Sequence, residues 1–197
     1  MFEDVIIIFA TPRPNGYSRQ IAGFLSQKLN ESNISNKVYD VYKMNINFCD
    51  NCGYCSRKCG HCKYKDDMQN LINHFDNSKA TILISPVAFD GPMAKLKVLI
   101  ERTNVIFHSK YTHRESIIDR NKPRVGYHIQ LGGSMGYPSQ FSGGDIINGF
   151  FFKSINAKLQ FDMKIVNTDN IDPLKHDRTL DHLIKMTDEF IKQVNSI

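Results

Sequence analysis

All five cysteines of the 197-residue chain lie in one short segment, at positions 49, 52, 55, 59 and 62. Two or three residues separate each cysteine from the next, a spacing that brings several sulfur atoms to one metal centre. A structural disulfide framework would instead distribute cysteines so that they connect distant parts of the chain. The segment therefore predicts a metal or cluster site, and its alternatives are a locally crosslinked loop and a closed zinc knuckle.

The spacing of the cysteines also bears on which centre they would hold. The first three follow the pattern C-x2-C-x2-C, which opens the cluster-binding run of bacterial ferredoxins. Cys59 supplies the next three-residue step, although Gly60 stands where that run has proline. Two zinc knuckles would need a longer loop between their cysteine pairs. Thiolates bind both zinc and iron–sulfur clusters, so the spacing decides, and it favours a [4Fe–4S] cluster on Cys49, Cys52, Cys55 and either Cys62 or Cys59.

Composition and length describe a soluble globular chain, with 41% hydrophobic and 23% charged residues. We expect one domain over residues 1–197, with the cysteine segment as an insertion at about 47–65. The apolar run Val5–Ala10 is too short to span a membrane, and Glu3 and Asp4 before it are unlike the basic flank of a signal peptide. These features predict a cytoplasmic protein with no membrane attachment, where clustered cysteines indicate metal or redox chemistry. The net charge of +5 is spread along the chain and does not indicate nucleic-acid binding.

The first strand and the loop after it form a candidate phosphate site. The β-branched run Val5–Phe9 is typical of a strand buried on both faces of a parallel sheet. Apolar residues then recur at helical spacing from Ile21 to Leu29, which predicts a helix with Ser18 as its N-cap. A strand–turn–helix places free backbone N–H groups and the positive helix end at the turn. Side-chain donors for a phosphate there are Thr11, Arg13, Asn15 and Ser18. The loop has no GxGxxG and no GxxxxGK[ST] pattern, so it does not predict a dinucleotide site or an ATPase P-loop.

The rest of the chain alternates strands and helices. Four further strands are predicted at Lys37–Tyr42, Ala80–Ser85, Arg124–Leu131 and Phe161–Val166. Helices are predicted from Asp66, along Leu96–Phe107, over Asp145–Ile155 and over Leu180–Val194. Five strands alternating with five helices predict an α/β fold with a doubly wound parallel sheet. The run Phe150–Phe152 fits either a core helix or a subunit interface, and His108–Lys122 fits either a solvated loop or a lid.

Right-handed crossovers would bring three unusual loops together at the carboxyl edge of this sheet. They follow the first, third and fourth strands and comprise Thr11–Ser18, Pro86–Pro92 and Gly132–Pro138. Doubly wound sheets bind ligands at this edge, where the strand order reverses. A mononucleotide fits the arrangement, with its phosphate in the first loop and its ring between the other two.

Several of these motifs together resemble the iron–sulfur flavoproteins of the NAD(P)H-dependent FMN reductase branch of the flavodoxin-like superfamily. The resemblance rests on Thr11–Ser18, the cysteine segment followed by Asp66-Asp67-Met68, Ser85-Pro86-Val87 with Phe89, and Leu96-Lys97 with Arg102. It implies a flavodoxin-like five-stranded sheet with helices on both faces, non-covalently bound FMN and a [4Fe–4S] cluster near the flavin. It also implies a homodimer or homotetramer in which neighbouring subunits complete the electron path. The family's cluster pattern favours Cys62 over Cys59 as the fourth ligand, because Cys62 precedes the aspartate pair by the family's interval.

The resemblance further assigns residues to each part of the flavin. The FMN phosphate would be held by Thr11, Arg13, Asn15, Tyr17 and Ser18. The isoalloxazine would be lined by Pro86, Val87, Phe89 and Asp90, and its pyrimidine side by Gly132, Gly133 and Ser134. The chain departs from the family pattern at Ala88, where an aromatic residue is usual, and at Ala10-Thr11, which replaces a common Gly-Ser but keeps the hydroxyl.

The predicted function is an FMN-dependent oxidoreductase or electron-transfer flavoprotein with no catalytic side chain, because a flavin supplies the redox chemistry itself. The protein would shuttle electrons between a reduced carrier, such as ferredoxin or NAD(P)H, and an acceptor, and the cluster would pass single electrons between the flavin and an outside carrier. One alternative is an NAD(P)H-dependent FMN or quinone reductase without a functional cluster. Another is a non-enzymatic module in which zinc fixes the cysteine segment as an interaction surface.

Overall fold

The computed structural model describes residues 2–197, which form six strands and seven helices. Their order is β1 (Val5–Phe9), α1 (Tyr17–Glu31), β2 (Asn36–Asp40), α2 (Tyr54–Arg57), α3 (Met68–Asn77), β3 (Ala80–Ala88), β4 (Gly91–Pro92), α4 (Ala94–Arg102), α5 (Asn104–Tyr111), β5 (Val125–Leu131), α6 (Ser142–Ser154), β6 (Lys158–Ile165) and α7 (Asp177–Asn195). Within residues 2–197 no helix is both long enough and apolar enough to cross a lipid bilayer.

Five strands form a parallel sheet in the order β2-β1-β3-β5-β6. This is the predicted doubly wound arrangement, because the chain moves outward from β1 in one direction to β2 and in the other to β3, β5 and β6. The sixth strand, β4, pairs antiparallel with the end of β3. It was not predicted, since two residues are too few to show a periodic pattern.

The hydrophobic core lies on both faces of the sheet. Alternate residues of β1 point to opposite sides, so that Ile7 packs with α1 and α7 whereas Ile6 and Ile8 pack with α3, α4 and α6. Every residue of β1 is buried. A strand covered on both faces needs apolar side chains at every position, which explains the uninterrupted run in the sequence.

Two helix boundaries differ from the predictions. Helix α1 begins at Tyr17 with Gly16 as its N-cap, so Ser18 lies inside the first turn, where it is buried. The predicted long helix through Phe107 is divided into α4 and α5 at Thr103. The Thr103 hydroxyl donates to the carbonyl oxygen of Ile100 at 2.7 Å, the local side-chain bond by which threonine competes with regular helix geometry.

The three consecutive phenylalanines of α6 lie in two different environments. Phe151 and Phe152 are buried in the core, whereas Phe150 is 53% exposed. The core interpretation therefore holds for two of the three rings. The exposed third ring stays available to a partner. The predicted loop after α5 begins four residues later than expected, because α5 continues to Tyr111.

Candidate functional site

A cleft of about 600 Å³ opens at the carboxyl edge of the sheet, where such folds bind ligands. Its walls come from the β1–α1 loop, the end of β3, the start of the loop after β5, and the loop after β6. All three loops predicted to converge contribute to this edge. The fourth wall contains Thr168 and Asp169, which were not predicted as site residues. They follow a strand of the parallel sheet, so their position after β6 was the available signal.

The β1–α1 loop provides an anion-binding surface at one end of the cleft. No side chain caps helix α1, and its first turn contains no acidic residue. The Thr11 hydroxyl accepts a hydrogen bond from the backbone N–H of Arg13 at 3.3 Å. A Cβ atom at Gly16 would lie only 2.6 Å from Thr11 Oγ1, so the close approach requires glycine. Free N–H groups at a helix N-terminus suit a phosphate, and the five residues predicted to hold it all line this cleft: Thr11, Arg13, Asn15, Tyr17 and Ser18.

The ends of β3 and β5 form the other walls. Pro86, Val87 and Ala88 line the cleft beside Gly133. The backbone of Gly133 accepts from the N–H of Asp169 at 3.1 Å, and a Cβ atom at Gly133 would collide with the Asp169 carboxylate. Glycine at this position therefore lets the two loops close on each other. Gly132 and Ser134 lie directly beside this contact. The Gln140 side chain donates to the Ser134 hydroxyl at 2.9 Å and fills the space that a Cβ atom at Gly132 would need.

Phe89 and Asp90 occupy a different position from the one expected, because they do not line the cleft. They form the tip of the β3–β4 hairpin, with backbone φ angles of 50° and 58°. The Phe89 ring is fully exposed. The Asp90 carboxylate accepts hydrogen bonds from the hydroxyls of Tyr137 and, at 3.0 Å, Ser139. The strained tip is thus tied to the loop after β5 while its aromatic ring points into solvent.

The cysteine segment surrounds a second, smaller cavity. Four cysteines line it, namely Cys49, Cys52, Cys55 and Cys62, together with residues of α4 and α5. Cys59 does not line this cavity, and its sulfur instead donates to the carbonyl oxygen of Glu115 at 3.4 Å. The structure thus places around one cavity the four cysteines that the family pattern indicates, and the fifth lies outside it.

The separation of the sulfur atoms tests which centre they fit. A tetrahedral zinc site has Zn–S bonds of about 2.3 Å, which place its sulfurs about 3.8 Å apart. Among residues 2–197 no three cysteine sulfurs lie within 4.8 Å of one another. As placed, the sulfurs are therefore too far apart to share a single tetrahedral zinc ion.

Left-handed backbone conformations allow the segment to wrap around this cavity. Asn51, Gly53 and Gly60 have φ angles of 52°, 66° and 73°. Glycine adopts such angles without steric cost. Gly53 precedes the four-residue helix α2, and the carbonyl oxygen of Cys55 in that helix contacts His113 Nε2 at 3.0 Å. Backbone turns of this kind point successive cysteines to one side.

A buried ion pair closes the base of the cysteine segment. Arg102 donates to both carboxylate oxygens of Asp66, at 2.6 and 3.1 Å, and to the carbonyl oxygen of Asn47 at 2.7 Å. The two charged side chains are 1% and 0% exposed. Burial alone would raise the pKa of Asp66, but the hydrogen bonds from Arg102 and Asn47 lower it to about 2. Arg102 also lies beside the Cys62 sulfur, and burial opposes the rise in its pKa that Asp66 and Cys62 cause.

An apolar groove of about 610 Å³ adjoins the cysteine cavity. It runs between α4, α5 and α6, and Cys49 and Asn51 belong to the walls of both. On its α6 side, Ile146 and Phe150 are 74% and 53% exposed. Exposed apolar side chains grouped in this way are typical of surfaces that contact a partner.

Comparison with known proteins gives the family of the chain. Residues 4–123 match the NADPH-dependent FMN reductase family. A protein named "Iron-sulfur flavoprotein" from Archaeoglobus fulgidus is 29% identical over 136 residues, which are 69% of this chain and 57% of that protein. Another iron-sulfur flavoprotein, from Methanocaldococcus jannaschii, is 29% identical over 99 residues, which are 50% of this chain and 51% of that protein. The match thus spans less than two thirds of the length of these relatives.

Solved structures agree on the fold. A "flavone reductase" superposes with a TM-score of 0.69 at 12% identity, covering 97% of this chain and 63% of that one. A flavodoxin from the domain Archaea superposes with a TM-score of 0.58 at 9% identity, covering 97% and 99%. The predicted flavodoxin-like fold and the predicted FMN reductase branch are therefore confirmed. Since the family match covers more than half of its residues, the chain belongs to the NADPH-dependent FMN reductase family.

Proposed function

We propose that this protein is an FMN-dependent oxidoreductase that carries a [4Fe–4S] cluster and passes electrons between a reduced carrier and an acceptor. The observation that carries the proposal is the shared cavity of Cys49, Cys52, Cys55 and Cys62 in a chain of the FMN reductase family. Relatives named iron-sulfur flavoproteins support the same function.

The cleft residues would position FMN without taking part in covalent chemistry. The phosphate would bind at the uncapped N-terminus of α1 with Thr11 and Arg13, while Pro86 and Val87 would provide an apolar wall for the ring. Asp169 places a carboxylate at the side of Gly133, where it can accept a hydrogen bond from a ring N–H group. When bound, FMN supplies both hydride and single-electron chemistry.

The second cavity would hold the cluster. Cys49, Cys52, Cys55 and Cys62 would be its ligands, and the buried guanidinium of Arg102 would stabilise the negative charge of the Cys62 thiolate. Tyr64 and Val105 complete the wall and limit the access of water. A [4Fe–4S] cluster exchanges single electrons, which suits a flavin neighbour that accepts electrons one at a time.

The separation of the two sites supports the proposed homodimer or homotetramer. Met93, just before α4, lines the flavin cleft, and Arg102 at the end of α4 lines the cysteine cavity. Nine residues at 1.5 Å rise place these two residues about 14 Å apart along the helix. A second subunit seated on the apolar groove would cover Cys49 and bring its own flavin near this cavity. Ferredoxin or NAD(P)H would be the reduced carrier.

Anaerobic purification with an absorption spectrum and with iron, sulfide and flavin analysis tests the proposal. We expect brown protein with one FMN and, for one cubane, about four irons per chain. Cys62→Ala should lose the iron and keep FMN, whereas the matched variant Cys59→Ala should keep both. FMN without iron would favour a reductase that has no functional cluster. Protein that binds neither FMN nor iron after reconstitution would refute the proposal.

A further inference from the structure

A group of polar side chains between α6 and the edge of the sheet takes no part in either site described above. His128 on β5, Asp162 on β6 and Asp145 on α6 each direct a nitrogen or oxygen atom to one region, and these atoms lie within 4.8 Å of one another. None of the three lines the flavin cleft or the cysteine cavity. A buried imidazole here meets two carboxylates that reach the protein surface.

The orientation of His128 is the informative feature. Its side chain is 1% exposed, and Nδ1 lies 3.0 Å from Asp162 Oδ1. Nδ1 is buried and has no hydrogen-bond partner other than this carboxylate. When Nδ1 carries no proton, its lone pair and the Asp162 oxygen are both available to one metal ion. Two ligands at right angles, each about 2.1 Å from one metal ion, are about 3 Å apart, which matches this spacing.

The other ring nitrogen of His128 is held in place by α6. Asn148, which is fully buried, has its side-chain amide 2.8 Å from Nε2, and its Oδ1 atom has no hydrogen-bond partner. The orientation of an amide is assigned from its surroundings. If the oxygen faces the ring, it accepts the Nε2–H and leaves the Nδ1 lone pair free, which is the arrangement that metal-bound histidines use.

Lys164 neutralises part of the negative charge of the Asp145 and Asp162 carboxylates. Lys164 Nζ lies 2.7 Å from Asp145 Oδ2 and 3.6 Å from Asp162 Oδ2. One ammonium faces two carboxylates, so the group keeps a negative charge that a divalent cation can balance. The Lys164 side chain is 38% exposed, and its flexible stem can carry the ammonium into solvent.

From these contacts we propose that His128, Asp145 and Asp162 bind a divalent transition-metal cation that prefers nitrogen and oxygen ligands, such as Mn²⁺ or Fe²⁺. Lys164 occupies the site when the ion is absent and is displaced when it binds. Both carboxylates are accessible, at 41% and 37% exposure, so water can complete the coordination shell. The proposal does not depend on the flavin or on the cysteines.

A titration with Mn²⁺ tests this site, and it uses the whole chain isolated with its cofactors. Electron paramagnetic resonance measures the concentration of free Mn²⁺ at each step. Mn²⁺ prefers oxygen and nitrogen over thiolate ligands, so the cysteine cavity does not compete. We expect Asp162→Asn to weaken binding at least about tenfold. Lys164→Met should tighten binding by about threefold to tenfold, because the ion no longer displaces an ammonium.

Glu31→Gln is the matched control. Glu31 is an exposed carboxylate that lies 3.8 Å from Lys28 and far in the sequence from the proposed site. It should leave Mn²⁺ affinity unchanged. Asp162 lies at an exposed edge, so its replacement does not depend on repacking the core. Equal Mn²⁺ affinities for wild type, Asp162→Asn and Lys164→Met would overturn the proposal.

Discussion

The buried pair of Arg102 and Asp66 makes a prediction about stability. Replacing Arg102 with Gln leaves the Asp66 carboxylate, which is 0% exposed, without its bidentate partner. Breaking a buried ion pair on one side costs about 3–5 kcal/mol. The low pKa of Asp66, about 2 against an ordinary 3.8, gives a second measure. A shift of that size is worth about 2 kcal/mol of the free energy of unfolding at neutral pH.

Urea unfolding at pH 7, followed by circular dichroism, measures this loss. We expect Arg102→Gln to lower the free energy of unfolding by about 2–5 kcal/mol. Exposed ion pairs contribute about 0–1 kcal/mol, so a loss below about 1 kcal/mol for Arg102→Gln would refute the reasoning.

Three further predictions concern the phosphate loop, a buried lysine and the apolar groove. Arg13→Gln should weaken FMN binding about tenfold or more in a fluorescence titration, because one charge-assisted bond to phosphate is lost, whereas the exposed Arg178→Gln should not. Burial lowers the pKa of Lys110 to about 8. The unfolded chain then binds more protons, so stability relative to Lys110→Met should rise by about 2–3 kcal/mol from pH 8 to 10.5 in urea unfolding. Phe150→Asp should reduce the mass found by sedimentation, and Ile197→Asp should not.

Each of these has an outcome that contradicts it. Unchanged FMN affinity in Arg13→Gln would show that the guanidinium does not bind the phosphate. For Lys110, which donates to the carbonyl oxygen of Ser154 at 2.6 Å, equal pH profiles of wild type and variant would show that its charge is not buried. An unchanged mass for Phe150→Asp would show that a second copy of the chain does not bind the apolar groove.

Periodicity predicted the parallel sheet because its strands are long and buried on both faces. The five residues of β1 are all apolar, and such a run has few other interpretations. At the division of α4 from α5 the Thr103 hydroxyl donates to the Ile100 carbonyl oxygen, a contact that is also compatible with a continuous helix. Hydrophobic periodicity carries no signal for a local hydrogen bond of this kind.

The site residues that spacing alone left undecided depend on long-range contacts. Spacing permits Cys59 as well as Cys62 as the fourth ligand, and the difference arises because Cys59 contacts Glu115, which lies 56 residues away. The side chains of His128 and Asp162 meet because β5 and β6 are adjacent in register. Strand order brings such pairs together, and it is a property of the fold rather than of either segment.

Helix α4 and the pair at its end explain how a segment with little regular structure can hold four thiols in place. Asp66 accepts from the backbone and side-chain N–H groups of Asn47 at 3.0 and 3.1 Å, so both ends of the cysteine segment meet at one carboxylate. Arg102 fixes that carboxylate to α4, whose other end reaches the flavin cleft. Joining the two ends restricts the conformations open to the segment between them. Arg102→Gln should therefore lose iron more readily than FMN, and loss of FMN first would show that the pair supports the cleft instead.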